Sequence, residues 1–103
     1  MEPGIVERVL KLNELADSIF EMAVNALFAQ DYELAERVLE KSQEMEPLEN
    51  EAVTYILERG LEMEDLVNLR LTLVSIKRVS EYAGDIAEVV LNLTVDKAVS
   101  QVP

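Results

Sequence analysis

The sequence predicts an all-α protein that folds as one up-down-up bundle of three helices. Apolar residues recur every three or four positions through most of the 103 residues, which is helical spacing. Only three glycines and three prolines are present, so the chain has few turn-forming residues. Aromatic residues make up 5% of a chain that is half apolar, which predicts an aliphatic core. This length corresponds to one domain over residues 1–103.

The first predicted helix covers residues 3–29. Pro3 suits the first helical position, where the missing N–H of proline has no helical partner to lose. The predicted core positions of this helix are Ile5, Val9, Leu12, Ala16, Ile19, Ala23 and Ala26. The polar stretch at residues 30–31 then predicts a break, with Asp31 as the N-cap of the next helix.

The second predicted helix covers residues 32–58, with Glu33 in its first turn, where the helix dipole favours an acid. Pro47 interrupts it, because a proline inside a helix removes one hydrogen bond and clashes with the preceding turn. We therefore expect either a kink near residues 43–47 or two shorter helices that meet there. Gly60 is expected to end the segment as a C-cap.

The third predicted helix covers residues 63–98. Its predicted core positions are Leu69, Leu73, Ile76, Val79, Ala83, Ile86, Ala87 and Val90. Gly84 lies inside this helix although glycine is a poor helix former, so we expect it to leave room for a close approach.

The net charge of −12, from 21 acids and nine bases, limits the partners that the protein can have. Nucleic acids and anionic membranes both attract basic surfaces, so neither is an expected partner. Charged residues interrupt the first ten positions, so no signal peptide is predicted, and no apolar run approaches the ~20 residues that span a bilayer. These features predict a cytoplasmic protein without direct membrane insertion.

The chain contains neither cysteine nor histidine, which restricts its chemistry. Disulfides, zinc sites of the usual nitrogen or sulfur type and Ser-His or Cys-His nucleophiles are excluded. A di-metal carboxylate hydrolase is disfavoured as well, because helical bundles usually build such sites with Glu-x-x-His pairs. The protein is therefore predicted not to be an enzyme, and any metal must be held by oxygen ligands.

A second apolar surface is predicted on the sides of the first and third helices that face away from the core. Its residues are Val6, Leu10, Val24, Phe28, Val67, Leu71 and Val74. Helices that are apolar on two sides are usually covered on both, and exposed apolar patches mark interaction sites. We therefore predict a homodimer of two bundles with six helices in all. The alternative is that some of these residues belong to the core of a single bundle.

Two pairs of carboxylates, each one helical turn apart, form a candidate metal site. Asp17 and Glu21 lie on the first helix, and Glu81 and Asp85 lie on the third. If these helices are neighbours, the four carboxylates converge, and they then need protons or a cation to stay together. Mg²⁺, Ca²⁺, Mn²⁺ and iron are hard cations that bind carboxylate oxygens. The simpler alternative is an ordinary solvated face, which is where charged runs usually lie.

Two segments of the chain resemble the PhoU family of phosphate-uptake regulators. They are "ALFAQDYELAERVLEKSQEMEPLENEAVTYIL" and "NLRLTLVSIKRVSEYAGDIAEVVLN". The opening of the second helix matches at Asp31, Tyr32, Leu34 and Ala35, and the third helix matches over residues 78–88. The resemblance extends over about residues 15–93, and the stretch "VSEYAGDIA" is similar to archaeal members of the family.

The resemblance implies a three-helix bundle of a kind that usually occurs twice in tandem, so a homodimer of this chain would restore the double unit. Some members bind iron or other metals through Glu/Asp-x-x-x-Asp motifs. The matching positions here are Glu81 and Asp85, with Asp17 and Glu21 as a looser match. Lys77 departs from the pattern, because the family often has an acid there and a positive charge would weaken a metal cluster.

The function that the resemblance implies is regulation by protein contact. PhoU proteins modulate a phosphate transporter and its sensor kinase, so the partners expected here are cytoplasmic surfaces of membrane transport complexes. Related single bundles accompany potassium transport systems, which makes an accessory module of potassium transport the first alternative. The second alternative is a structural oligomerisation module.

Overall fold

The computed structural model describes residues 1–100, with the side chains of residues 94, 96–98 and 100 left out. Four helices follow one another: α1 (Pro3–Ala29), α2 (Tyr32–Ser42), α3 (Met45–Leu57) and α4 (Met63–Ser100). The described residues contain no strand, so the all-α prediction is confirmed. The second predicted helix corresponds to α2 and α3 together, and the third corresponds to α4. The molecule is elongated, with extents of 64 × 19 × 18 Å.

Local hydrogen bonds set both ends of α1. Glu2 is the N-cap, and its carboxylate accepts a hydrogen bond of 2.7 Å from the Gly4 N–H. Gln30 ends the helix in the left-handed conformation at φ 50°, and its N–H is bonded to the carbonyls of Ala26 and Leu27. Asp31 then caps α2 as predicted, since its side chain accepts from the Leu34 N–H at 3.1 Å.

The break between α2 and α3 lies before the proline. Gln43 and Glu44 form a turn, and Pro47 is the third residue of α3. The first N–H groups of a helix have no partner within it, so proline is tolerated in the first turn. Of the two expected arrangements, the structure has two shorter helices.

The sequence predicts Gly60 as the C-cap of the second segment, but in the structure Gly60 is not the cap. The cap of α3 is Glu58, in a right-handed helical conformation, and Gly60 lies two residues beyond it. Its φ of +65° turns the chain toward α4, and glycine adopts this conformation at little cost because it has no Cβ. The predicted helix end at residue 58 is one residue too late, and the predicted cap is two residues too late.

The core is aliphatic and joins all four helices. The buried apolar residues are Ile5, Leu12, Ala16, Ile19, Ala23, Ala26, Ala35, Val38, Met45, Ala52, Ile56, Leu69, Leu73, Ile76, Ala83, Ala87 and Val90. Three predicted core residues, Val9, Val79 and Ile86, are only half-buried at its edge. α1 packs most extensively against α4, and α2 packs against both. α3 packs mainly against α1 and makes few contacts with α4.

Candidate functional site

The four carboxylates of the predicted metal site are all exposed. Asp17 and Glu21 lie on α1, and Glu81 and Asp85 lie on the side of α4 away from the core. Within the described residues, no group of three or more acidic side chains is arranged to hold a metal ion. One chain therefore supplies each pair separately, and metal binding by these residues stays a prediction.

Lys77 points to α3 and not toward the carboxylates that follow it on α4. Its Nζ lies 3.8 Å from Oε2 of Glu49 on α3. Both side chains are partly exposed, so this ion pair is a weak contact. It nevertheless gives Lys77 a partner other than Glu81, which the sequence pattern did not indicate.

Gly84 lies on the α2 side of α4 and is half-buried there. A Cβ added to it would lie 4.0 Å from Cδ2 of Leu39, which is ordinary van der Waals contact. No neighbour within the chain therefore makes a close approach at Gly84, since a methyl group would fit, and an approach by a second molecule stays a prediction.

Six of the seven residues of the predicted apolar surface are exposed: Val6, Leu10, Phe28, Val67, Leu71 and Val74. Val24, which is also on α1, is half-buried. Phe28 is the most exposed of them at 83%. These residues are thus not core residues of the single bundle, and the homodimer stays a prediction.

The exposed residues of this surface border two depressions. Leu10 and Leu71 line an open depression between α1 and α4, together with Val9 and Ile76. Val74 instead lines a groove on the α3 side of α4.

The groove beside Val74 lies between α3 and α4, where these two helices make few contacts. It has a volume of about 360 Å³. Leu57, Leu66 and Leu73 give it an apolar lining, and Arg70 and Lys77 lie on its α4 side. The sequence did not reveal this groove, because it depends on how α3 packs beside α4, and no local pattern specifies that packing.

A second feature that the sequence did not reveal is a polar cluster around Tyr55, where the beginning of α1 meets the end of α3. The guanidinium carbons of Arg8 and Arg59 lie over the Tyr55 ring, 3.7 and 3.9 Å from its centroid. The Tyr55 hydroxyl donates a hydrogen bond of 2.7 Å to Oε1 of Glu2. Arg8 also donates to the Gly4 carbonyl at 3.0 Å. Cation–π contacts of this kind are attractive because the ring face is negative.

The hydrogen bond between Tyr55 and Glu2 shifts the pKa of both groups. It lowers the pKa of Glu2, with smaller contributions in the same direction from the Gly4 N–H and the two arginines. It raises the pKa of Tyr55, because the carboxylate favours the protonated phenol. The cluster therefore favours an ionised Glu2 and a neutral Tyr55.

Replacing Tyr55 by phenylalanine is expected to raise the pKa of Glu2 toward its ordinary value of 4.5, because the largest lowering contribution is lost. In the wild type, the lowered pKa stabilises the fold above this value, and that stabilisation disappears as the pH falls through the folded-state pKa. Side-chain NMR titration of Glu2 measures the shift directly. An unchanged Glu2 pKa in Tyr55→Phe would show that the hydrogen bond is not its main cause.

Among residues 1–100, no helix combines the length and the apolar composition that crossing a membrane requires. A protein-family model described as the PhoU domain matches residues 9–90, about four-fifths of the chain. No match was found among curated proteins or among solved structures. The matched region begins in α1, includes α2 and α3 and extends through most of α4. The chain therefore belongs to the PhoU domain family, whose members regulate phosphate uptake.

Proposed function

We propose that this protein is a non-enzymatic regulator of phosphate transport that acts from the cytoplasm by contact with the transporter or its sensor. The observation that carries this proposal is the PhoU domain match over residues 9–90. The exposed apolar side chains of α1 support it, because surfaces of this kind serve contacts between proteins. Leu10 and Phe28, which are 52% and 83% exposed, are the α1 residues best placed to meet such a partner.

The partner can be tested in the organism that encodes the protein. Purification of the tagged chain after cross-linking should recover a phosphate permease or its sensor kinase, and deletion of the gene should change uptake of labelled phosphate. Replacing Leu10 and Phe28 by glutamate should abolish recovery of the partner without loss of helicity, because both side chains are exposed. Glu36→Lys, at an exposed position of α2, is the control. Recovery of a cation transporter, with phosphate uptake unchanged, would contradict the proposal.

We also propose that the exposed carboxylates of α1 and α4 can bind a hard cation, with Glu81 and Asp85 as the principal ligands and Asp17 and Glu21 as the secondary ones. Carboxylates one turn apart on an exposed helix repel each other, and a cation between them removes that repulsion. Freshly purified protein should contain iron, Mg²⁺, Ca²⁺ or Mn²⁺ by elemental analysis, and chelation should lower Tm. Metal-free protein whose Tm is insensitive to chelation and to added cations would contradict this.

A further inference from the structure

The charges on α4 are divided into two blocks. Residues 66–80 contain three bases, Arg70, Lys77 and Arg78, and no acid. Residues 81–93 contain three acids, Glu81, Asp85 and Glu88, and no base. All six side chains are exposed. In the described part of the chain, no ion pair or side-chain hydrogen bond engages any of them except Lys77.

Several exposed apolar residues of α4 are placed symmetrically about the middle of the helix. At about 100° per residue, one stripe opposite the core contains Val67, Leu71, Tyr82, Val89 and Leu93. The aromatic ring of Tyr82 is 57% exposed. Positions 67 and 93 lie equally far from residue 80, and so do positions 71 and 89. These four apolar positions therefore match one another when the helix direction is reversed.

We propose that a second copy of this chain packs antiparallel along this stripe of α4, with a two-fold axis near residue 80. Val67 then meets Leu93 of the second copy, and Leu71 meets Val89. Arg78 lies over Tyr82 of the second copy, which is a cation–π contact. The contact would extend over about 40 Å, since residues 67–93 rise ~1.5 Å each.

The charges favour the antiparallel direction. Arg70, Lys77, Glu81 and Glu88 lie on one flank of the stripe, and a two-fold axis brings the same flank of both copies together. Arg70 then opposes Glu88 of the second copy, and this pair occurs twice. A parallel arrangement would instead set the basic block of one copy at the level of the basic block of the other, and likewise the two acidic blocks, which opposes association.

A second copy fits this surface better than a membrane does. The acidic block of α4, at residues 81–93, and the net charge of −12 both repel anionic lipid. The inference rests on the homodimer predicted from the sequence, of whose surface it uses Val67 and Leu71. It is independent of the proposed transport partner, because the stripe does not include Leu10 or Phe28.

Introduced cysteines test the register, because the chain has no cysteine of its own. R78C and Y82C lie in the stripe, two residues on either side of the proposed axis, and should give a disulfide-linked dimer when the two proteins are mixed and mildly oxidised. V67C and L93C proteins should each fail to cross-link alone, because each position lies far from the same position in the second copy. They should cross-link when the two proteins are mixed, because position 67 faces position 93. Cross-linking of V67C with itself, or no cross-linking in the mixture, would overturn the proposal.

Charge exchange tests the pairing independently. R70E and E88R should each raise the dimer dissociation constant about tenfold in sedimentation velocity, because each places like charges opposite one another twice. The double variant R70E/E88R should restore the wild-type constant, since it exchanges the two charges of the same pair. Failure of this rescue would overturn the register. A monomeric wild type would refute the homodimer itself, whereas neither result would affect recovery of the transport partner.

Discussion

Replacing Leu12 by alanine is expected to lower the free energy of unfolding by about 2–5 kcal/mol. Leu12 is 2% exposed in α1, at the centre of the aliphatic core. Truncation removes apolar contacts and leaves a cavity, because the three neighbouring helices hold each other in place and cannot close around the gap. Denaturant unfolding followed by circular dichroism measures the change.

Leu10→Ala is the matched control, since it removes the same atoms from the same helix at a position that is 52% exposed. Its effect on the free energy of unfolding should be within about 1 kcal/mol, because most of this side chain already contacts water. Equal losses in the two variants would show that α1 is rotated relative to the arrangement described above.

Gly84→Ala is expected to stabilise the protein by about 0.5–1 kcal/mol. Glycine inside a helix is unfavourable relative to alanine by roughly this amount, and the added methyl group meets nothing closer than Leu39 at 4.0 Å. In a domain of this size, 1 kcal/mol corresponds to about 4–8 °C in Tm. Thermal unfolding should therefore show a measurable increase.

The other two glycines provide controls of opposite sign. An alanine at Gly4 would bring its Cβ against the Tyr55 hydroxyl and the Glu2 carboxylate, so the Tyr55 cluster would have to open. An alanine at Gly60 meets no neighbour, but its φ of +65° is strained for a residue with a Cβ and is unfavourable by about 1 kcal/mol. Both variants should lower Tm. A lower Tm in Gly84→Ala as well would contradict the α2–α4 packing described here.

The helices could be predicted from the sequence because their signals are local. α1 begins at Pro3 and ends at Ala29 as predicted, since a proline and a polar break mark its ends and its apolar period is regular. The sequence left two arrangements open at the break before α3, because Pro47 is compatible with both a kink and a first-turn position. Only the packing of α3 against α1 selects between them.

For the candidate sites too, local features could be predicted from the sequence and long-range contacts could not. The exposure of Leu10, Val67 and Leu71 followed from helical period alone, and the structure confirms it. The cluster around Tyr55 was missed because its hydrogen bond joins residues 53 positions apart, and no local pattern links Glu2 to Tyr55. The groove between α3 and α4 was missed for a related reason, since its existence depends on the angle between two helices.

The limited packing of α3 against α4 has a consequence for communication across the molecule. The width of the groove between them depends on where α1 holds α3, and the Tyr55 cluster is part of that contact. By thermodynamic linkage, a molecule that bound in the groove and displaced α3 would also change the strength of the hydrogen bond between Tyr55 and Glu2. Protonation of Glu2 would in turn change the affinity of the groove by the same factor. The beginning of α1 and the groove thus share one structural element, α3.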